Sequence, residues 1–165
     1  MQPTMSREEL VERLREIGRD LPPSPAPALG LYRPVRINGN HLHTSALGPF
    51  KTDGDGFAYV GEIGTDLTTD EAREAAALTG LHLLNVIDDR IGIGRITGLC
   101  ELVIHVRAAD DFTEHARVAD GISEVLIAAL GEDAGSHART VVGANSLPLA
   151  IPIVASLTAA MEGSP

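Results

Sequence analysis

The sequence has almost none of the residues that staple a small protein together. Cys100 is its only cysteine, so no disulfide can form within the chain and no thiolate cluster can hold a metal. Tryptophan is absent and aromatic residues make up only 3%, so the core has to be built from Leu, Ile, Val and Ala. Lysine occurs once, at Lys51. No run approaches the roughly 20 apolar residues that a membrane-spanning helix needs. The opening residues MQPTMSREELVERL are polar and charged and contain no apolar stretch of a signal peptide. A cytoplasmic location is therefore expected.

Acid, by contrast, is abundant. Asp and Glu number 23 against 13 Lys and Arg, a formal charge of −10. Nucleic-acid affinity rests mainly on cationic contacts to phosphate, so RNA and DNA are not expected partners. Anionic membrane surfaces are disfavoured for the same reason. A hydrophobic fraction of 44% over 165 residues suits one domain with a core of its own.

Ser6 and Glu9 form a capping-box pattern that opens a helix, with Leu10, Leu14 and Ile17 on one face and Gly18 as a stop. Pro22, Pro23, Pro25 and Pro27 then mark a stiff extended linker. Residues 1–27 thus read as an appendage to a domain over 28–165. Two strands are expected over Ala28–Ile37 and His41–Leu47, joined at Asn38-Gly39. A third is expected over Phe57–Ile63. Thr68 and Glu71 open a helix reaching about Asp88, and Arg95–Arg107 reads as a long strand. Asp111 and Glu114 cap a further helix ending near Gly131, and His137–Ala144 and Ile151–Leu157 are the last strands. Gly92-x-Gly94 lacks the context of a phosphate loop and reads as a turn. The order β-β-β-α-β-α-β-β predicts an α+β fold, with two helices on one face of a mixed sheet. The other face is left for self-association to bury.

Several segments, taken in order, resemble the RidA/YjgF (reactive intermediate deaminase) family. They are Leu31-Tyr32, Thr44-Ser45-Ala46-Leu47-Gly48-Pro49 (typically TSGQ-x-P in the family) and Gly61-Glu62-Ile63-Gly64. The Asp111-Phe112 helix start, Val118 to Leu126, His137-Ala138-Arg139-Thr140 and Ser146-Leu147-Pro148 continue the match. The likeness runs from about Ala28 to Ala160, and the N-terminal helix resembles that of a longer subgroup. It implies a chorismate-mutase-like fold, a homotrimer with clefts between subunits, and no cofactor. It also implies hydrolysis of 2-imino or 2-enamino acids to 2-oxo acids and ammonia. The older name endoribonuclease sits poorly with the acidic composition.

On that resemblance Arg139 is the anchor for a substrate carboxylate, a role suited to a guanidinium that stays charged and binds by two parallel hydrogen bonds. The competing reading is a structural ion pair. Tyr32 and Ser45 match cleft positions, Ala46 stands in the cleft where the family's TSG has glycine, Val141 lies beyond Arg139 on the same strand, and Asp120 stands where many members carry Asn. Each has a plain reading too, as a strand aromatic, a strand end or a solvated carboxylate. The deaminases carry a glutamate six residues past the Leu-Pro proline, where this chain has Val154. Valine can neither accept a proton nor orient water. His41 and His43 share a strand face with Ser45, so either is a candidate replacement or simply an interface histidine. His-x-His also suits a metal, but no third ligand is identifiable. Cys100, beside Leu99 and Leu102, reads as an inert buried thiol. Three functions remain open: imine hydrolysis, a repurposed condensation, cyclisation or tautomerisation in the same cleft, and non-catalytic binding of a small carboxylate.

Overall fold

The computed structural model describes residues 4–163. The first helix, α1 (Arg7–Glu16), starts where Ser6 accepts the Glu9 backbone N–H at 3.2 Å. Glu9 does not complete the capping box, because its carboxylate accepts from Arg13 one turn on, at 2.6 Å. Leu10 and Leu14 are fully buried in the same core as the sheet, whereas Ile17 is 45% exposed. The helix ends at Glu16 and the chain turns at Gly18 (φ 72°), so Ile17 leaves the helical stripe. The proline-rich segment is tied down at its start. Arg19 grips Glu74 through two hydrogen bonds of 2.5 and 2.8 Å, which hold that carboxyl below its usual range. The Pro22 carbonyl accepts from the buried Asn85 amide at 2.9 Å.

The first expected strand is shorter than its apolar run suggests. Pro34 lacks an N–H and restricts Arg33, so pairing begins only with β1 (Val35–Asn38), which meets β2 (His41–Thr44) antiparallel. Asn38 pairs with His41, so the two loop residues are Gly39 and Asn40 rather than Asn38-Gly39, with Gly39 at φ 58°. No strand forms over 57–63. Gly56, Gly61 and Gly64 all take positive φ and break the extended run, leaving single bridges at Phe57 and Ile63.

Helix α2 (Thr69–Ile91) carries the full capping box. Thr68 accepts the Glu71 N–H at 3.2 Å, and Glu71 accepts the Thr68 N–H at 2.8 Å. Strand β3 (Ile96–Arg107) follows, then α3 (His115–Leu130), one helical turn α4 (Glu132–Gly135), β4 (Ala138–Ala144) and β5 (Ile153–Met161). No side chain caps α3, contrary to expectation; Glu114 instead accepts from the Thr69 hydroxyl at 2.7 Å, tying the starts of α2 and α3 together. Cys100 is exposed rather than buried, because a bulge between Leu99 and Glu101 interrupts its pairing with β5.

The strands form one sheet in the order β1-β2-β5-β3-β4, with β3 and β4 parallel and every other pair antiparallel. One face carries Leu102, Ile104, Val106, Ile153, Ala155 and Leu157, all buried beneath the helices. α2 and α3 approach closely because a Cβ on Gly121 would collide with the Arg73 carbonyl. The opposite face is open, and one row across it runs Arg36, His43, Thr158, Glu101, Ala138. This is the α+β arrangement of helices on one face of a mixed sheet that the sequence predicts. Among the described residues no helix is long and apolar enough to cross a membrane.

Candidate functional site

The candidate residues fall into two groups. The first surrounds a cavity of about 270 Å³ whose walls include Tyr32, Ala46, Phe57, Leu149 and Val154. Tyr32 is positioned by its phenol oxygen, which accepts the Leu29 N–H at 3.1 Å. Gly48 forms part of the wall, and a Cβ there would sit 2.6 Å from the Ile151 side chain. The rim is unusual, since Leu149 and Ala150 both have φ 56°, a left-handed conformation that disfavours a side chain by about 1–2 kcal/mol per residue. The Ala150 carbonyl accepts the Gly61 N–H at 2.9 Å, which helps hold that conformation. No charged side chain lines this cavity.

Ser45 is not part of the wall. Its hydroxyl donates to the Arg33 carbonyl at 2.7 Å and its N–H to the Pro34 carbonyl at 2.8 Å, so it shapes the chain below Tyr32. Behind the wall His82 is 2% exposed, and its Nε2 lies 2.9 Å from the Phe50 carbonyl. A carbonyl only accepts, so Nε2 carries the proton, and Nδ1 is left buried without a partner. Desolvation pushes the pKa of this imidazole down.

The second group lies where β4 meets α3. Arg139 stands opposite Leu102 in the parallel ladder, so it points towards the helices rather than the open face. Its Nη1 donates to Asp120 at 2.7 Å and to the Ser123 hydroxyl at 3.0 Å. The Ser123 oxygen is also 3.0 Å from His137 Nε2, and His137 Nδ1 is 2.7 Å from the Gly135 carbonyl. The proton positions follow from chemistry. Nδ1 faces a carbonyl and must donate, so in the neutral ring Nε2 is bare and accepts from Ser123. The path therefore has one direction: Arg139 N–H to Ser123, Ser123 O–H to His137, His137 N–H to Gly135. A serine next to a histidine that a third group orients is the arrangement that lets a hydroxyl exchange protons. Arg139 keeps Nε and Nη2 without protein partners among the described residues, which is a free fork for an oxyanion.

The structure thus brings together Tyr32, Ala46 and Val154, and separately Arg139 and Asp120. Val141 packs on the core from the helix side and is a wall of neither group. His43 is 3.2 Å from the Thr158 hydroxyl, four residues along β5 from Val154 and outside the cavity. His41 pairs with Ala160, further away still. Ser123 and His137 were not picked out from sequence as chemical groups. The signal was there: Asp120 and Ser123 are three apart on a helix, and His137 and Arg139 alternate along a strand.

Comparison with known proteins agrees with this architecture. Residues 11–161 match the family model described as "YjgF/chorismate_mutase-like, putative endoribonuclease". Protein TCP17 of Trypanosoma cruzi is 33% identical over 136 residues, spanning 82% of this chain and 83% of that one. A crystal structure from Shewanella oneidensis, described as an endoribonuclease in the same terms, is 30% identical with a TM-score of 0.84, covering 92% of this chain and 99% of that one. Atu1372 of Agrobacterium tumefaciens, described as of unknown function, is 27% identical with a TM-score of 0.82 over 93% and 92%.

Proposed function

Because the chain belongs to the YjgF/chorismate-mutase-like family, that of the RidA proteins, and has its fold, we propose that it acts on imine or enamine relatives of 2-oxo acids. Arg139 holds the substrate carboxylate through its free fork. The observation that carries this reading is the directed hydrogen-bond path from Arg139 through Ser123 to His137. On this reading the path is a proton carrier beside the anchor, a role that Val154 cannot serve. In hydrolysis, water adds to the C=N carbon and its proton passes through Ser123 to Nε2 of His137. Starting from the protonated imine, that proton is then returned to the amino nitrogen, and as the C–N bond breaks the remaining hydroxyl gives up its own proton to the departing ammonia, so that a 2-oxo acid and ammonium result. A positioned acid–base group of this kind contributes about 10²–10⁴-fold.

The two groups complete one another in a homotrimer, where Arg139 reaches round the sheet edge formed by β4 to the Tyr32–Val154 cavity of the next subunit. The open face supports such head-to-tail assembly, since no helix among the described residues covers it and its Glu101 end lies beside the edge strand β4. A heterologous interface can bury that end around a closed ring and leave Arg36, on the opposite edge strand, outside it. Glu101→Lys should lower the mass measured by light scattering, and a monomeric wild type at micromolar concentration would refute the assembly.

The apolar walls favour a second reading. A cavity with Val154, Phe57 and Leu149 and no charged group holds water poorly, which suits condensation, cyclisation or tautomerisation of a similar acid. The test is a coupled assay. An amino-acid oxidase generates the imine, semicarbazide competes for it, and ammonia and 2-oxo acid are followed. Accelerated ammonia release that is lost in His137→Ala supports hydrolysis. Substrate consumption without extra ammonia supports the second reading, and no acceleration of either process removes both.

A further inference from the structure

Seven of the twelve arginines (thirteen cationic side chains less Lys51) make ion pairs among the described residues. The other five are Arg33, Arg36, Arg90, Arg95 and Arg107. Three of these, Arg33, Arg36 and Arg90, line a single cavity of about 370 Å³ with Val35 and Ile37. None of the three guanidinium groups donates a hydrogen bond to the described protein. In a chain of formal charge −10, three unpaired cations gathered at one place call for an account.

The place itself is built from separate parts of the chain. β1 is the edge of the sheet and contributes Arg36, Arg33 precedes it, and Arg90 stands in the last turn of α2. A second pocket of about 180 Å³ shares Arg33, Val35 and Arg90 with the first, and its other walls are Pro25, Ala26, Pro34, Val86 and Asp89. A cationic compartment therefore adjoins a mostly apolar one.

We propose that this is an anion-binding site, separate from the Arg139 group, for a small phosphate monoester with an apolar body. Three arginines against Asp89 leave an excess of two positive charges, which the negative end of the α2 dipole trims by about half a charge. A phosphate monoester near pH 7 carries about −1.5 to −2, whereas a monocarboxylate carries only about −1. Guanidinium forks match phosphate oxygens in pairs. The neighbouring apolar walls take the body of the ester. A nucleic-acid strand is not accommodated, because beyond this spot the chain's net charge repels a polyanion.

The test titrates the full-length protein with phenyl phosphate, inorganic phosphate and benzoate, read by amide chemical shifts and calorimetry. Phenyl phosphate should move the amides of Val35, Ile37, Val86 and Arg90 and bind more tightly than either of the other two. The double variant Arg33→Gln/Arg90→Gln should lose roughly tenfold or more in affinity, as expected for charge-assisted hydrogen bonds, with its melting temperature unchanged. Arg139→Ala should leave this binding intact, so failure here and failure of the deaminase reading are read separately. Equal affinity for benzoate, equal binding by the double variant, or shifts only around Arg139 would each overturn the proposal.

Discussion

Arg139→Ala tests the anchor most directly, and the structure sets its magnitude. The side chain is 23% exposed and its partner Asp120 47% exposed, so their ion pair is largely screened and contributes about 0–1 kcal/mol to stability. Melting should therefore move little. Ligand binding is a different matter. The guanidinium commits Nη1 to Asp120 and Ser123 and keeps Nε and Nη2 for the ligand. Losing a hydrogen bond to a charged group costs about 1.5–3 kcal/mol, so affinity for a 2-oxo acid such as 2-oxobutyrate should fall roughly 10- to 150-fold. The mutation also leaves Asp120 without its cation, and the bare carboxylate repels the ligand, which pushes the loss to the upper end. Calorimetry on wild type and variant, alongside thermal melts, separates the two effects. Unchanged affinity would refute the anchor, and a collapse of the melting temperature would mean that the pair is chiefly structural.

Four further outcomes follow from the same geometry. Leu14→Ala should destabilise the fold by about 2–5 kcal/mol in denaturant titrations, since α1 packs into the core through Leu10 and Leu14. His137→Ala should cut turnover by about 10²-fold or more, whereas His43→Ala, outside the cavity, should leave it near wild type in the coupled assay. Val154→Glu should raise ammonia release if the cavity and Arg139 meet between subunits; no gain in a variant that still folds and self-associates would count against that assembly. Stability should decline as pH falls below about 6.5, the ordinary histidine value. The folded state holds His82 neutral at a lowered pKa, so below that pH the unfolded chain binds more protons and gains on the folded one. His82→Gln, if it folds, should flatten this part of the profile.

Helix positions were the most legible part of the sequence, because capping residues act within a few positions of one another. Thr68 and Glu71 meet as written. Strand ends were less legible, since they depend on partners distant in sequence and on single residues such as Pro34 and the positive-φ glycines 56, 61 and 64. Cys100 sat in an apolar run and still came out exposed, because a bulge is a property of two paired strands and cannot be seen in one. Of the site, Arg139 and Asp120 were named as separate candidates, and the structure joins them. His137 and Ser123 were passed over because each is unremarkable alone. Their meaning arises only when the β3–β4 crossover sets α3 above β4.

That crossover depends on a hydrogen atom. Gly121 follows Asp120 in the chain and lies against the Arg73 backbone, where a side chain of any size would not fit. A methyl group there would lift α3 away from α2, carrying Asp120 and Ser123 with it. At 2.7 and 3.0 Å from Nη1, neither contact has slack to absorb such a lift. The spacing between two helices on the far side of α3 is thus the setting screw for the donors of Arg139, and Gly121→Ala would detune the site without touching any residue in it.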